Sequence, residues 1–407
     1  MRILVISALY PPHVQGGAEI CAYNIATWLA RNGHEVAVLT TAPTKEDEVL
    51  DEVVEGVRIW RLFTARAYTV FEAVEAAGWK KPFWHMQDIF DPRNERMVSK
   101  VLDAFEPDFV NVHYIQGIGY NALKTLGARD LPTAYTLHDI SLACIKMSMF
   151  NGGRECESLC TTCALSAKVK RSYLRSIRRI GFISPSRANL DRLSGLQPIA
   201  PYPRAHILNA TRYPKPTVQH QPSDALRLLY VGRLDATKGI DVLLRAVQPL
   251  AETHDFSLKV VGSGPDETAL RQAYGHLPWV TFTGQIPLQQ ATDEMAASDM
   301  LFIPSIWLEN SPGVVIQALG VSLPVMGSDK GGIPELVTHG ENGVLVPPGD
   351  VDAWREAIRS ILDDPSQLEK YRRNANLRSA EFDQDYLAGR VLDFFEEVKS
   401  FAGAGKA

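Results

Sequence analysis

Short apolar runs recur along the whole chain, each closed by a loop rich in Gly, Pro or capping residues and followed by a stretch of helical period. Residues 3–7 (ILVIS) form the first run, with the continuous apolarity of a buried strand. A Pro/Gly loop (8–17) follows, then a helix over about 18–31 stopped by Asn32-Gly33, then a strand at 35–40. A β–loop–α–β opening of this kind starts a doubly wound α/β domain. The same pattern predicts strands at 57–62, 109–112, 133–137 and 180–184, with helices at 95–105 and 186–193. The polar, Pro-bearing segment 209–224 reads as an interdomain linker. The pattern then restarts, with strands at 226–231, 258–261, 280–283, 300–303, 324–327 and 343–347. Helices are predicted at 240–251, 288–298, 312–319, 352–363, 366–378 and 385–401. The halves share an architecture rather than a short repeat, so the expectation is two doubly wound domains.

Length and charge narrow this. A chain of 407 residues exceeds what one core supports, and 45% hydrophobic with 22% charged residues is the composition of a soluble globular protein. Residues 1–215 hold 26 Lys/Arg against 21 Asp/Glu, and residues 216–407 hold 16 against 26. That balance argues against a general nucleic-acid binder, while the first half can face an anionic surface. Arg2 precedes an apolar run that breaks at 7–12 without a cleavage site, and no run reaches membrane-span length. The expected location is cytoplasmic, with reduced cysteines.

The stretch 302–319, FIPSIWLENSPGVVIQAL, carries the most chemistry. An apolar strand ends at Pro304, and a loop with one carboxylate, Glu309, follows. Ser311 is expected at the N-cap and Pro312 at the first helical position. The free amides around Gly313 and Val314 then suit an anion such as a diphosphate. Taken alone, the stretch also fits an ordinary strand-to-helix turn. Gly16-Gly17 is either a plain turn or a backbone approach to a ligand. His113 and His138 both fall at strand carboxyl ends, where open α/β sheets hold their sites, and a structural role is the alternative for each.

Four second-half motifs, GRLDATKGID, VVGSGPDE, PSIWLENSPGVVIQALG and GGIPELVTHGENGVLVPPGD, resemble the donor half of family 4 retaining glycosyltransferases in order and spacing. ALYPPHVQGGAE, VNVHYIQGIG, YTLHD and FISPSRANLDRL in the first half agree. The resemblance implies the GT-B fold: two Rossmann-like domains facing a cleft, acceptor-side 1–212 and donor-binding 213–384, with a last helix of about 385–407 crossing back. It implies that Arg233 and Lys238 grip the diphosphate of a nucleotide-sugar donor and that Glu309 holds donor-sugar hydroxyls. Gly264 and Asn310, Ser311, Gly313 and Val314 would contact the donor, and Gly16 and Gly17 would let a loop close over it. His113 would lie near the anomeric centre. No metal or cofactor is implied for the reaction, which proceeds by front-face substitution with retention.

The chain departs from the family at Gln317, which stands where the second glutamate of the family's pair holds the ribose. An amide there gives a neutral and weaker hydrogen bond. Other GT-B enzymes, such as a sugar-nucleotide epimerase or a phosphorylase, and a catalytically silent sugar-nucleotide-binding subunit are the competing readings. The acceptor implied is a saccharide or a lipid-linked saccharide, in cell-surface polysaccharide or glycoconjugate synthesis. The aromatic-rich stretch 64–92 is either acceptor-facing or local packing.

Two features remain outside the motifs. Cys144, Cys156, Cys160 and Cys163 have spacings that fit a structural zinc site or free thiols packed in a loop. The stretch 166–180, SAKVKRSYLRSIRRI, carries Lys168, Lys170, Arg171, Arg175, Arg178 and Arg179 with no acid. Val169, Tyr173, Ile177 and Ile180 recur at helical spacing, so the expectation is a basic helix docking peripherally on the anionic inner face of a membrane. The alternative is a packed helix with solvated cations.

Overall fold

The computed structural model describes every residue except 74, 75, 152, 153, 224 and 404–407. Two compact units form: Met1–Met149 with Cys156–Thr211 and Gln384–Ala407, and Phe150–Glu155 with Arg212–Asp383.

The strands of the first unit are β1 (Arg2–Ser7), β2 (Glu35–Ala42), β3 (Val49–Val54), β4 (Val57–Phe63), β5 (Phe109–Tyr114), β6 (Thr133–Thr136), β9 (Ile180–Ser184) and β10 (Arg204–His206). A small hairpin, β7 (Phe150–Asn151) with β8 (Arg154–Glu155), groups with the second unit. The sheet order is β10-β9-β6-β5-β1-β2-β4-β3, parallel except for β3 against β4. The central strands are buried on both faces, as their unbroken apolar runs require. Helix Gly17–Arg31 covers one face with Cys21, Ala22, Ile25, Ala26 and Leu29. The C-terminal helix, Gln384–Ser400, lies on the same core, where Phe395 stacks on Phe109 at 4.5 Å. Trp28 Nε1 donates to Asp385 at 2.8 Å and ties the two helices. The order reverses between β1 and β5, so the carboxyl ends of these strands form a switch point.

Several elements differ from the expectation. β3 went unpredicted because this edge strand, VLDEVV, is almost wholly exposed and lacks an apolar run. Residues 64–92 include a helix, Lys81–Phe90, whose Trp84 is buried and stacked on Tyr68 at 5.3 Å, while Trp79, Phe83 and Phe90 are exposed. Helices at Ala122–Ala128 and Glu267–Tyr274 were also unforeseen.

The basic stretch 166–180 is helical only in its first part, and most of its cations are engaged. The helix runs Thr161–Leu174, and a turn then leads into β9 at Ile180. Lys170 is buried, with its ammonium donating to the Ser141 carbonyl at 2.6 Å and lying 3.9 Å from the Tyr120 ring. Arg171 donates to Gln197 Oε1 and the Leu196 carbonyl, and Arg178 and Arg179 both pair with Asp130. The acid missing from the stretch is supplied from elsewhere in the chain. Only Lys168 and Arg175 of the six cations are exposed without a partner among the described residues. No helix of the described residues is long and apolar enough to cross a membrane.

The second unit holds β11 (Leu226–Val231), β12 (Phe256–Val261), β13 (Val280–Gly284), β14 (Met300–Ile303), β15 (Val325–Ser328) and β16 (Gly343–Val346). All pair in parallel, in the order β13-β12-β11-β14-β15-β16. Counted from its own first strand this is 3-2-1-4-5-6, the Rossmann order, with its switch point between β11 and β14. Residues 207–223 run without regular structure, and Asp224 of the expected linker lies outside the described residues.

Candidate functional site

The loops leaving β11 and β14 meet at the second unit's switch point. After β11 the chain turns through Gly232, Arg233 and Asp235 into a short 3-10 turn, Ala236–Lys238. Tyr230 Oη donates to the Arg233 carbonyl at 2.8 Å, and Thr237 N–H donates to Asp235 at 2.9 Å, which fixes the loop. Lys238 Nζ reaches across to Glu309 Oε1, after β14, at 2.7 Å. Ser305 Oγ (2.6 Å) and Trp307 Nε1 (2.9 Å) donate to the same oxygen. The Lys238 ammonium also lies 4.9 Å from the Trp307 ring centre. All three donors converge on Oε1, so Oε2 takes no partner among the described residues. Burial raises the Glu309 pKa, but the Lys238 charge and the three donors outweigh it and hold the carboxyl below its usual range. The result is a fixed carboxylate with one oxygen still to offer. Arg233 is largely exposed and bound only loosely, at 3.3 Å, to Asp235, so its guanidinium is available to an anion.

The helix after this loop starts one residue later than expected. It runs Gly313–Gly320, and Pro312, not Ser311, holds the N-cap position. Ser311 makes no cap, and its hydroxyl is buried without a partner. The Gly313 and Val314 amides donate to no acceptor among the described residues, because the first helical bonds come from Val315 and Ile316 to Pro312. A Cβ at position 313 would sit 2.4 Å from the Tyr213 hydroxyl, so glycine lets the Tyr213 side chain approach the helix start. Gln317 is buried and donates its amide to Thr292 Oγ1 at 2.7 Å. Its Oε1 therefore faces away from Thr292 and stays available as an acceptor.

Gly264 packs tightly against the loop that carries Arg233. A Cβ there would fall 2.3 Å from the Leu234 carbonyl, so the residue serves to pack the Gly262–Gly264 turn against the Arg233 loop. It positions the cation loop.

In the first unit, the β1 and β5 ends bring Gly16–Gly17 and His113 to the other switch point. Gly17 has open space about it. The Gly16 amide is taken by the Glu19 carboxylate at 2.9 Å, so the pair is less free than its sequence suggested. His113 is buried, and both its ring nitrogens are engaged. Asn111 donates its amide to the Ala134 carbonyl and to Thr136 Oγ1, both at 3.2 Å. That turns Asn111 Oδ1 toward His113 Nε2 at 2.6 Å, and the proton is assigned to this nitrogen. His113 Nδ1 then accepts from His138 Nε2–H at 2.9 Å. Burial holds both rings neutral: His113 lies well below the usual range, lowered further by His138, and His138 is pushed down to about 4. His113 is thus held on both sides by its neighbours. His138 is partly exposed, its Nδ1 has no partner among the described residues, and it is the ring that can touch another molecule.

The four cysteines do not assemble a closed metal site. Cys144 and Cys163 have their sulfurs 3.8 Å apart, which matches one edge of a thiolate tetrahedron. No three of the four come within 4.8 Å of one another, since the single cluster of that kind among the described residues is Cys21, His113 and His138. Cys163 interacts with both Cys144 and Cys160. Sequence reasoning missed Ser305 and Trp307, although both lie in the loop that drew attention, and Asn111, although it lies in the motif around His113; it also missed Thr292 and Cys21, which carry no motif signal.

The comparisons agree with this geometry. The family model described as Glycosyltransferase Family 4 matches residues 15–207, and that described as Glycosyl transferases group 1 matches residues 215–378. A glycogen synthase of Mycobacterium tuberculosis is 28% identical over 417 residues, spanning 98% of this chain and 95% of its own. A phosphatidyl-myo-inositol mannosyltransferase of Mycobacterium leprae is 25% identical over 403 residues, spanning 98% and 97%. The solved structure of Anabaena HepE in complex with UDP and glucose superposes with a TM-score of 0.67 at 19% identity, over 98% of this chain and 100% of that one. With two Rossmann-like units and two matched models that together span most of its length, this chain belongs to the family 4 glycosyltransferases of the GT-B fold.

Proposed function

We propose that this glycosyltransferase moves a sugar from a nucleotide-diphosphate sugar to a saccharide or lipid-linked acceptor, with retention at the anomeric carbon. The carrying observation is the Lys238–Glu309 pair at the second unit's switch point, beside the unpartnered amides of Gly313 and Val314. In this reading Lys238, Arg233 and the helix start hold the diphosphate, and Glu309 Oε2 accepts from donor-sugar hydroxyls. Asn310 and the Ser311 hydroxyl line the same loop and take part in holding the donor. The Gln317 oxygen accepts from the ribose. The charge that develops on the leaving phosphate meets the Lys238 and Arg233 cations and the helix-start amides, so no divalent ion is required for the step. The first unit supplies the acceptor side, with His138 in contact and His113 and Asn111 setting its tautomer and orientation. The relatives' printed names, a glycogen synthase and a lipid mannosyltransferase, and a neighbour solved with UDP support the donor class and both acceptor types. Synthesis of cell-surface polysaccharide or glycoconjugate is the setting we favour.

The test is a thermal-shift screen over UDP-, GDP- and ADP-sugars, followed by NMR of the anomeric product. A donor at a hundred times its Kd adds about 2.7 kcal/mol of stability. Retained anomeric configuration with one nucleotide sugar supports the reading. Turnover without any acceptor points to an epimerase, and donor binding without turnover points to a silent subunit.

A further inference from the structure

Three ligating side chains of the first unit converge from three elements. Cys21 comes from the first turns of helix Gly17–Arg31, His113 from the end of β5, and His138 from just beyond β6. The Cys21 sulfur and the two imidazoles present ligating atoms within 4.8 Å of one another. The reaction proposed above gives Cys21 no task.

The surrounding bonds prepare the set. Asn111 fixes the His113 proton on Nε2 and so aims the Nδ1 lone pair at His138. A metal-binding imidazole is typically oriented by such a hydrogen bond from its other nitrogen to an oxygen. Asn111 is itself anchored by Ala134 and Thr136, so the orienting oxygen is rigid. We infer that Cys21, His113 Nδ1 and His138 Nε2 form a transition-metal site that takes a borderline cation of the zinc class. One thiolate and two imidazoles are ligands suited to Zn²⁺, and three protein ligands leave a fourth position for water or another molecule.

Protons balance simply. Cys21 releases its thiol proton to solvent on forming the sulfur–metal bond. The His138 proton moves from Nε2 to the unpartnered Nδ1, and His113 keeps its proton on Asn111. One proton is released per ion. The imidazole nitrogens stand 2.9 Å apart, and tetrahedral zinc needs about 3.3 Å between them, so the rings part by about 0.4 Å and turn until both lone pairs leave the line between them and meet on the ion.

The proposal concerns binding and stands without the proposed reaction; what binding does to transfer rests on that reading. The test is calorimetric titration of chelator-stripped protein with Zn²⁺, comparing the parent with Cys21→Ser and His138→Gln. The parent is expected to show a site that both variants weaken at least tenfold. Co²⁺ gives the second readout: the thiolate-to-cobalt charge-transfer absorption falls by one thiolate in Cys21→Ser. Cys144, Cys156, Cys160 and Cys163 are unchanged in both variants, so their background cancels. Where Cys21→Ser fails to fold, Cys21→Ala and His138→Gln make the same comparison. Equal affinity in parent and variants overturns the site. Zinc that binds as expected yet leaves transfer untouched keeps the site and removes the histidine pair from the reaction.

Discussion

Replacing Lys238 with Ala tests the core of the donor site through both activity and stability. In the folded chain the Lys238 side chain is 26% exposed and that of Glu309 8%, with the charged atoms 2.7 Å apart. Breaking a fully buried ion pair by removing one partner costs about 3–5 kcal/mol. Here Lys238 keeps some water, and Glu309 retains its bonds from Ser305 and Trp307, so we expect about 1–3 kcal/mol. Transfer should fall about 10²–10³-fold, the usual effect of removing one preorganised charge or donor from a developing anion.

The stability loss carries a pH signature. In the parent, the folded Glu309 carboxyl titrates below its unfolded value, so its contribution is present above about pH 4.3 and is lost as pH falls through the lower folded value. Without Lys238, burial dominates and the folded carboxyl titrates above the unfolded one. Glu309 then costs stability at neutral pH, and that cost fades as the carboxyl protonates. Urea midpoints of parent and variant should therefore differ most near pH 7 and draw together toward pH 4. A gap that stays constant over this range, or transfer at the parent rate in a folded variant, would refute the assignment.

Glu309→Ala should abolish most transfer, by about 10²-fold or more, while leaving the fold intact by circular dichroism; parent-level transfer in that variant removes Glu309 from the site. Gln317→Glu should be tolerated and should tighten nucleotide binding about three- to tenfold in calorimetry, because a charged acceptor faces the ribose and the Thr292 hydroxyl can turn from the Leu288 carbonyl to donate to it. Weaker binding would mean that Gln317 does not face the nucleoside. Lys170→Met probes the buried ammonium, whose pKa burial lowers to about 8. Parent stability should gain from this group as pH rises from about 8 toward the unfolded lysine value of about 10.4, and the gain should vanish in the variant. An identical pH dependence in both would place Lys170 in water.

The second unit was legible because its signals are local. A buried parallel strand reads as an apolar run, and the residues that follow it leave at the carboxyl edge of the sheet. Arg233, Lys238 and Glu309 lie within a few residues of β11 or β14, so finding the strands located the candidate residues. The pairing within the site was not legible. That Lys238 is held by Glu309, and that Ser305 and Trp307 share the same oxygen, depends on β11 and β14 being neighbours. Two adjacent strands separated by some seventy residues set a distance of 2.7 Å that no spacing rule contains. The Ser311 cap failed for a smaller reason. Pro312 takes the N-cap position itself, with φ of −67° and ψ of 110°, and pushes the helix start one residue on.

In the first unit the same logic explains what was seen and what was not. Strand ends located His113 and His138, but not the bond between them, because a histidine inside β5 and one just past β6 look alike in sequence. Only the third dimension shows Asn111 behind His113 and His138 in front of it. The basic stretch fails in the opposite sense. Its apolar positions do pack inward, with Ile177 and Ile180 buried. Yet a run without acids is not a run without counter-charges, because Asp130 arrives from another connection and Tyr120 and Ser141 enclose Lys170. Local charge balance constrains a surface only when the neighbours in space are also the neighbours in sequence. An isolated exposed helix meets that condition, and a helix packed into a doubly wound unit does not.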